Sequence, residues 1–457
     1  MASSSARRGK VMRVAVVGAG PAGTFFVYCL SRQAQQRGLK LEVRIFEPKK
    51  FEHKGAFHCN FCQGVISSGL LAAMEKIGLS LPEQVIQAQI KSYRLITLGG
   101  ELLFPVPGDQ EIYTVFRGQG PVSEAAGAIS FDQFLLDKTL AGGAVKIPVL
   151  IREIEIRRGA ENPVTLIDHE GRTYQADMVV GAFGVNSGIG HQFEKLGFGY
   201  QTPGTSSALQ AEFRMDSDRI FRQFGDEVKV FALGLYPIRF AVITPKRSYI
   251  TVSLIGQHLR SEHLERFMQH PLVQKHIPAG LDTGVPRCGC APLFPISDGR
   301  ELAGEHCMII GDAAVSRYYK NGIESALRSA ELAAEVLAEF GPEQPEQLRR
   351  YYTQRVKRMF VMDNSLGRAL FRVHDFINQL PSIVRAHLEI ARGDSRLTGY
   401  SRKKLRWILW NMFTGDASYR KIFFHCLDPL LLFSIIMATL RTHFTAGTEP
   451  EPGGRGD

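Results

Sequence analysis

Three glycines and one acid near the start of the chain have the types and spacing of a phosphate-binding turn. Gly18, Gly20 and Gly23 stand in GAGPAG, completed by Pro21 and Ala22, and Glu47 closes a later apolar run, LEVRIF. Gly18 permits a tight turn, Gly20 lets a pyrophosphate approach the backbone, and Gly23 lets the following helix pack closely on a sheet. The free N–H groups and positive dipole end of that helix then face the phosphates. Glu47 can accept hydrogen bonds from a ribose 2′-OH and would repel a 2′-phosphate. The chemistry read here is the holding of a dinucleotide.

Local elements must position these residues, and the pattern supplies them. Met12 to Val17 reads as a buried strand, TFFVYCLSRQAQQRG as a helix, and LEVRIF as a second strand. A second constellation lies far along the chain. An apolar strand from Met308 to Ile310 leads into Gly311 and Asp312, a loop, and an Ala-rich helix starting near Gly322. Ile323, Ala326, Leu327, Ala330, Ala333, Ala334 and Leu337 keep helical spacing, so the helix dipole points at whatever sits before Asn321 and Gly322.

Taken together, the two segments resemble the FAD-binding fold shared by flavin-dependent aromatic hydroxylases and geranylgeranyl reductases. IGDAA resembles the late GD motif, whose Asp holds the ribityl/ribose end of FAD; here these are Gly311 and Asp312. A helix N-cap is the structural alternative for Asp312. KNGIESAL resembles the following Gly-rich turn, whose helix start faces the flavin pyrimidine edge, at Asn321, Gly322 and Ile323. Such a dipole stabilises negative charge around N1–C2=O of a reduced flavin. AISFDQFLLDKTLAGGAVKI resembles the family segment in which an Asp precedes a Leu-Leu pair. ALGLYPIRFAVITPKRSYITVSLIG resembles the reductases' substrate-domain strands, and its alternation also fits a half-buried sheet. The likeness covers roughly residues 12 to 340 and implies FAD as cofactor. The external electron donor stays open among NADPH, ferredoxin and a quinol. One departure weakens the hydroxylase reading. The middle motif usually reads G-A-D-G, whereas VVGAFGVNSGIG keeps Gly184 but has Phe183 where the Asp belongs, and no Arg follows Ser187. No second GxGxxG indicates a separate NAD(P)H domain.

KGAFHCNFCQGVISSGLL resembles a reductase loop, C-G-x-x-x-S, that lies close to the isoalloxazine ring. Cys62, Gly64 and Ser67 match it, with Gln63 in place of its first Gly. The resemblance puts Cys62 on the substrate side, shaping the pocket or relaying protons. Cys59 adds a C-x-x-C, and PRCGCAPLFPIS carries Cys288 and Cys290 towards the GD strand. Cys59, Cys62, Cys288 and Cys290 would suit zinc in ligand type, although nothing in the sequence shows that the pairs meet. Small buried residues and a redox dithiol are the other readings. His53 and His58 flank the first pair, and no histidine has an HExxH or triad-like context.

The whole chain has 457 residues, a size for two or three domains, with 44% apolar and 22% charged residues, which excludes wholesale disorder and a polytopic membrane protein. The expected fold is α/β: a Rossmann-like FAD-binding domain of the glutathione reductase type, an inserted antiparallel-sheet substrate domain and a C-terminal helical extension. Residues 11–90, 128–190 and 285–345 are assigned to the first, 91–127 and 191–284 to the second, 346–445 to the third, and 446–457 to a disordered tail. A net charge of +10 favours an anionic partner. Seven thinly spread cysteines suit a reducing compartment, and MASSSARRGK lacks the apolar stretch of a secretory signal, so a cytoplasmic location is expected.

In the extension, Arg402, Lys403, Lys404 and Arg406 stand beside Trp407 and Trp410. Asp428 and Pro429 then resemble the N-cap and first residue of a helix, apolar nearly all round, to Phe444. Sixteen residues reach about 24 Å, short of the roughly 30 Å hydrocarbon core, so a helix lying in the membrane interface is expected, against the alternative of a helix buried on the FAD domain. No nucleic-acid module is visible. The expected function is reduction of double bonds in a long apolar isoprenoid or lipid at a membrane surface, with an electron-donor protein as a further partner. A monooxygenase on the same fold (hydroxylase or epoxidase) and a flavin- or lipid-binding protein that has lost catalysis remain as alternatives.

Overall fold

The computed structural model describes residues 10–51, 53, 58–59, 64–118, 128–282, 284, 286–393 and 399–446. A six-stranded sheet forms the nucleotide-binding layer. Its strand order is Ala303–Gly304, Cys307–Ile309, Met178–Gly181, Val11–Val17, Lys40–Phe46 and Val145–Ile147, parallel throughout except at the first pair. Val14 to Val17 and Met178 to Val180 are buried, the continuous apolar pattern of a sheet covered on both faces. Helix α1 (Pro21–Arg37) follows the first strand, opened by a proline at its start and closed by Gly38 in the left-handed region. Helix α2 (Phe131–Ala141) is capped by Ser130, whose hydroxyl accepts from Gln133 N at 3.2 Å. Helix α3 (Gly322–Phe340) lies along α1, where Ala330, Ala333 and Ala334 are buried and their small side chains let the two backbones approach. A three-stranded antiparallel sheet (Ile151–Ile156, Val164–Asp168, Thr173–Ala176) completes this layer.

The second sheet has eight strands. Cys288–Cys290, Thr205–Arg214, Tyr249–Gly256, Ile238–Lys246, Glu227–Ala232, Ser92–Thr97 and Gly100–Pro105 follow one another, and Leu293–Pro295 also pairs with Thr205–Arg214. Two features differ from the antiparallel insert expected. Glu227–Ala232 runs parallel to Ser92–Thr97, because the two stretches come from separate excursions of the chain and meet side by side. Cys288–Cys290 and Leu293–Pro295, which the sequence places with the nucleotide-binding portion 285–345, are edge strands of this second sheet. Their three-residue runs are too short to carry an alternation signal of their own.

The extension is helical: α4 (Pro345–Val356), α5 (Met362–Ile377), α6 (Pro381–Arg392), α7 (Gly399–Thr414), α8 (Tyr419–Cys426) and α9 (Pro429–Ala446). Asp428 Oδ1 accepts from Leu431 N at 3.0 Å, the cap that fixes the start of α9. Helix α9 runs to Ala446, and 447–457 lie outside the described residues. Helix α9 has two unlike faces, and it packs on other helices of the extension, not on the FAD-binding sheet as the second reading expected. Leu431, Ser434, Ala438 and Thr442 are buried against α6 and α7, while Leu430, Phe433 and Ile436 are 61%, 56% and 58% exposed. Part of the Trp-and-cation run is turned inward, while Arg402 and Lys403 stay exposed. Trp410 packs edge-on against Tyr93 at 5.5 Å, Arg406 donates to Leu103 O at 2.8 Å, and Lys404 donates to Asp428. Trp410 and Arg406 thus face the second sheet, whereas Trp407 stacks on His425 of α8 at 4.1 Å. Among the described residues no single helix is long and apolar enough to cross a membrane; α8 and α9 meet that length and composition only together, bent by 61°.

Candidate active site

The glycine turn is built with no room for side chains. Gly18 has φ +107°, and a Cβ there would stand 2.5 Å from Ala182 O. One on Gly23 would stand 2.0 Å from Gly18 O, and one on Gly311, at φ +65°, 2.5 Å from Ala22 Cβ. The start of α1 has no side-chain cap and no acid in its first turn, so its amides are left for an anion. Glu47 is buried beside this turn. Its Oε2 accepts from Ala19 N at 3.0 Å and its Oε1 from Lys49 N at 3.0 Å. A carboxylate has about four lone-pair sites, so two remain for ribose hydroxyls on its cavity side.

On the opposite wall, Asp312 sits in a single tight turn, Gly311–Ala313, and caps no helix. Ser316 hydrogen-bonds it, and Arg117 attracts it from across the cavity, yet burial outweighs both and raises its pKa above the ordinary aspartate value. Its Oδ1 is buried with no partner. An unsatisfied buried acceptor costs about 1–3 kcal/mol, and a sugar or ribityl hydroxyl would satisfy it. Asn321, at φ +48°, begins α3 without capping it, because its side chain donates to Glu324 Oε2 and Gly415 O. The first-turn amides of α3 therefore remain open beside Gly322 and Ile323. Gly184, at φ +64°, lies opposite. The acid missing before it is replaced by an aromatic contact: Phe183 stacks on Phe193 at 5.0 Å and meets Tyr200 edge-on at 6.4 Å.

Gly18, Ala22, Glu47, Phe183, Gly184, Asp312 and the segment Asn321 to Ile323 line one cavity of about 630 Å³. Beyond Asn321 the cavity continues between the second sheet and the extension. Val228, Val230, Phe240, Val242, Ile255 and Phe413 form its wall there, so this half is apolar.

Four residues of the site have no sequence signature. Arg117 is half-buried and holds the fully buried Asp132 through two hydrogen bonds, Nε to Oδ1 at 2.7 Å and Nη2 to Oδ2 at 3.0 Å. The Asp before the Leu-Leu pair is thus the anchor of a cavity-lining cation fifteen residues earlier. Arg317 donates to Gly415 O and Ala417 O and lies over the Tyr419 ring at 4.4 Å, tying the flanking loop to the extension. Thr414 reaches the cavity from the end of α7. Lys320 lines the cavity with its Nζ 5.2 Å from the Phe240 ring, and burial, then the charge of Arg317, pulls its pKa down to about 8.

Cys62 lies outside the described residues. Its neighbour in the motif, Ser67, caps a short helix by accepting from Leu70 N at 3.3 Å and lines the cavity. Cys59 packs against the Phe116–Tyr249 pair, and its carbonyl accepts from Lys49 Nζ. Cys288 and Cys290 stand opposite Glu212 and Gln210 on the edge of the second sheet. Among the described residues no three His, Cys, Asp or Glu side chains are grouped to hold a metal ion. His53 and His58 meet edge-on at 5.3 Å, away from the cavity lining.

No family model matches the chain. It is 24% identical over 333 residues, 71% of this chain and 76% of the relative, to the digeranylgeranylglycerophospholipid reductase of Methanococcus vannielii. It is 23% identical over 341 residues, 72% of this chain and 75% of the relative, to the geranylgeranyl diphosphate reductase of a Synechocystis species. Among solved structures, the flavin-dependent brominase Bmp2 superposes with a TM-score of 0.58 at 15% identity, over 96% of this chain and all of the other. A flavoprotein/dehydrogenase from Cytophaga hutchinsonii superposes equally well at 16% identity, over 96% and 100% of the two chains. The tetrameric 2-methyl-3-hydroxypyridine-5-carboxylic acid oxygenase reaches 0.57 at 16% identity, over 80% and 93%. With a dinucleotide cradle that fits FAD, a flavoprotein fold and a consistent likeness to two reductases, the chain is an FAD-dependent oxidoreductase, similar in sequence to the geranylgeranyl reductases.

Proposed function

We propose that the protein reduces carbon–carbon double bonds of a long apolar isoprenoid or lipid, collected at a membrane surface. The observation that carries this reading is the continuity of the cavity, which passes from the dinucleotide cradle into an apolar half walled by Val230, Phe240, Val242 and Phe413. The names of the two reductase relatives support the same substrate class. FAD, when bound, supplies the hydride chemistry. The Gly18–Ala22 turn, Glu47, Asp312 and the segment Asn321 to Ile323 would hold it. The second sheet excludes water and orients an apolar chain by burial, at about 0.8 kcal/mol for each methylene. Thr414 and Phe413 close the cavity from the extension, and Arg317 holds them there through Gly415.

The exposed stripe of α9 supplies the membrane contact. Leu430, Phe433, Met437 and Leu440 run along it at spacings of three and four, flanked by Phe424 and Leu427 from the end of α8. Helix α9 packs on α7 near Ser401, and the far end of α7 carries Phe413 and Thr414 to the cavity.

The test begins with colour and ends with lipid. Purified protein is expected to be yellow, and its flavin, photoreduced without oxygen, is expected to be reoxidised by an unsaturated long-chain lipid extracted from the preparation. Turnover only with oxygen, giving a hydroxylated or epoxidised lipid, would replace the reductase by a monooxygenase. A colourless preparation that FAD cannot reconstitute would leave a binding protein without catalysis.

A further inference from the structure

Residues 399–446 carry seven Lys or Arg and two Asp, so about a tenth of the chain holds half of its net charge of +10. Neither acid answers the cations at the surface. Asp428 bonds Lys404 and caps α9, and both carboxylate oxygens of Asp416 are buried. The exposed charged side chains described in this stretch are all cations: Arg402, Lys403, Arg420, Lys421 and Arg441. Among the described residues the first four make no ion pair. The same stretch holds nine of the twenty-two large apolar side chains exposed among the described residues, chiefly on α8 and α9.

The two sets border each other. Arg420, Phe424 and Leu427 follow at spacings of four and three, so they share one face of α8, with the cation a turn before the ring. Lys403 stands one turn before Trp407 on α7, and Trp407 packs on His425, the neighbour of Phe424. Arg402 follows Ser401, whose hydroxyl meets that of Ser434 at 2.8 Å, next to the exposed Phe433. The cations thus flank the corner where α8 and α9 meet at 61°. A surface that faces only water ordinarily mixes both signs of charge. A protein interface is a poorer match, since Lys is depleted there relative to the rest of a surface. Apolar side chains bordered by uncompensated cations fit an anionic bilayer. The stripe enters the acyl boundary while the ammonium and guanidinium groups stay at headgroup level.

We propose that the α8–α9 corner docks selectively on bilayers rich in anionic phospholipid, with Arg402, Lys403, Arg420 and Lys421 reading the headgroup charge. This deepens the membrane reading given above and rests on it. The stripe alone partitions into any bilayer, whereas each cation adds about fivefold on an anionic one. The corner thereby selects the membrane that supplies the cavity, without touching the reacting atoms.

The experiment uses full-length protein and flotation with two kinds of vesicle, phosphatidylcholine alone and equal parts phosphatidylcholine and phosphatidylglycerol. Wild type is expected to bind the anionic vesicles roughly tenfold more tightly or better. That advantage is expected to fall below about threefold between about 0.1 M and about 1 M salt, as the screening length shrinks from about 10 Å to about 3 Å. Arg402→Gln, Lys403→Gln, Arg420→Gln and Lys421→Gln combined are expected to remove the advantage and leave neutral binding within about twofold. A charge-matched control, Lys76→Gln, Lys138→Gln, Lys195→Gln and Lys275→Gln, changes exposed residues of other elements and is expected to behave as wild type. Equal binding of wild type to both vesicles would overturn the proposal and leave the membrane reading standing. A control that falls as far as the corner variant would overturn it too, since total charge would then suffice. If the corner variant does not fold, salt decides on wild type: anionic binding that salt leaves unchanged overturns the proposal. Flotation with neither vesicle, together with a dimer in light scattering, would remove the membrane contact itself and give the stripe to a second copy of this chain.

Discussion

The two halves of the cavity are built on opposite principles. The nucleotide half is backbone: glycines at positive φ, open helix starts, and two carboxylates held by amides or left waiting for hydroxyls. The apolar half is side chain: Val228 and Val230 from one strand, Phe240 and Val242 from the next, Ile255 from a third and Phe413 from a helix more than a hundred residues later. Backbone recognition reads a ligand common to many enzymes and tolerates almost no change, because a single Cβ meets another main chain. A side-chain wall can be redrawn residue by residue at small cost. One chain thereby joins an unyielding cofactor grip to an adjustable substrate pocket.

The contrast can be broken most directly at Gly18. Gly18→Val is expected to leave the protein without detectable FAD absorbance. It adds a branched side chain where a Cβ already falls 2.5 Å from Ala182 O and forces a β-branched residue to φ +107°. The φ strain alone is roughly 1–3 kcal/mol. Retention of wild-type flavin content would show that the grip is less rigid than its geometry. Next in size is Arg317→Met, which removes two charge-assisted hydrogen bonds to Gly415 O and Ala417 O and a ring contact. The extension is expected to loosen by about 2–3 kcal/mol, read as faster amide exchange in α7 and α8 with α1 unchanged. Equal loosening of both would mean that extension and nucleotide sheet unfold as one unit.

A smaller effect is expected from Val230→Leu, one methylene added to the apolar wall. It should cost under about 1.5 kcal/mol, leave FAD content intact and raise KM for the lipid substrate. Loss of FAD would deny the separation of the two halves. The smallest change to the fold is expected from Phe433→Ser with Ile436→Ser, both more than half exposed, at about 0.5 kcal/mol or less. Binding to lipid vesicles in a flotation assay should nevertheless fall severalfold, and unchanged flotation would remove α9 as the membrane contact.

Legibility from the sequence followed locality. GAGPAG, the strand before it, the helix after it and Glu47 sit within about forty residues, and their roles depend on backbone geometry that residue type dictates. The GD segment was equally plain. Other features needed the fold. Asp132 was visible as part of a motif, but its partner Arg117 lies across a segment with no periodicity, so nothing in the spacing ties them. The interior use of Trp410 and Arg406 was invisible for a different reason: basic and aromatic residues mixed on one helix suit a membrane boundary and a packed interface equally well, and only the neighbouring strand Gly100–Pro105 and Tyr93 select between them. The edge strands Cys288–Cys290 and Leu293–Pro295 were too short to announce their sheet.

By itself the sequence determined the dinucleotide turn, the α/β alternation around it, the start of α3 and the cap of α9, since each is a contest among conformations within a few residues. Only the tertiary structure decided that the extension closes the cavity, that Phe183 exchanges an acid for an aromatic stack, and that Lys320 faces an apolar wall without a partner. Those outcomes depend on which distant surfaces meet. The meeting is chosen by packing the whole apolar core at once, a property that no single stretch of the chain contains.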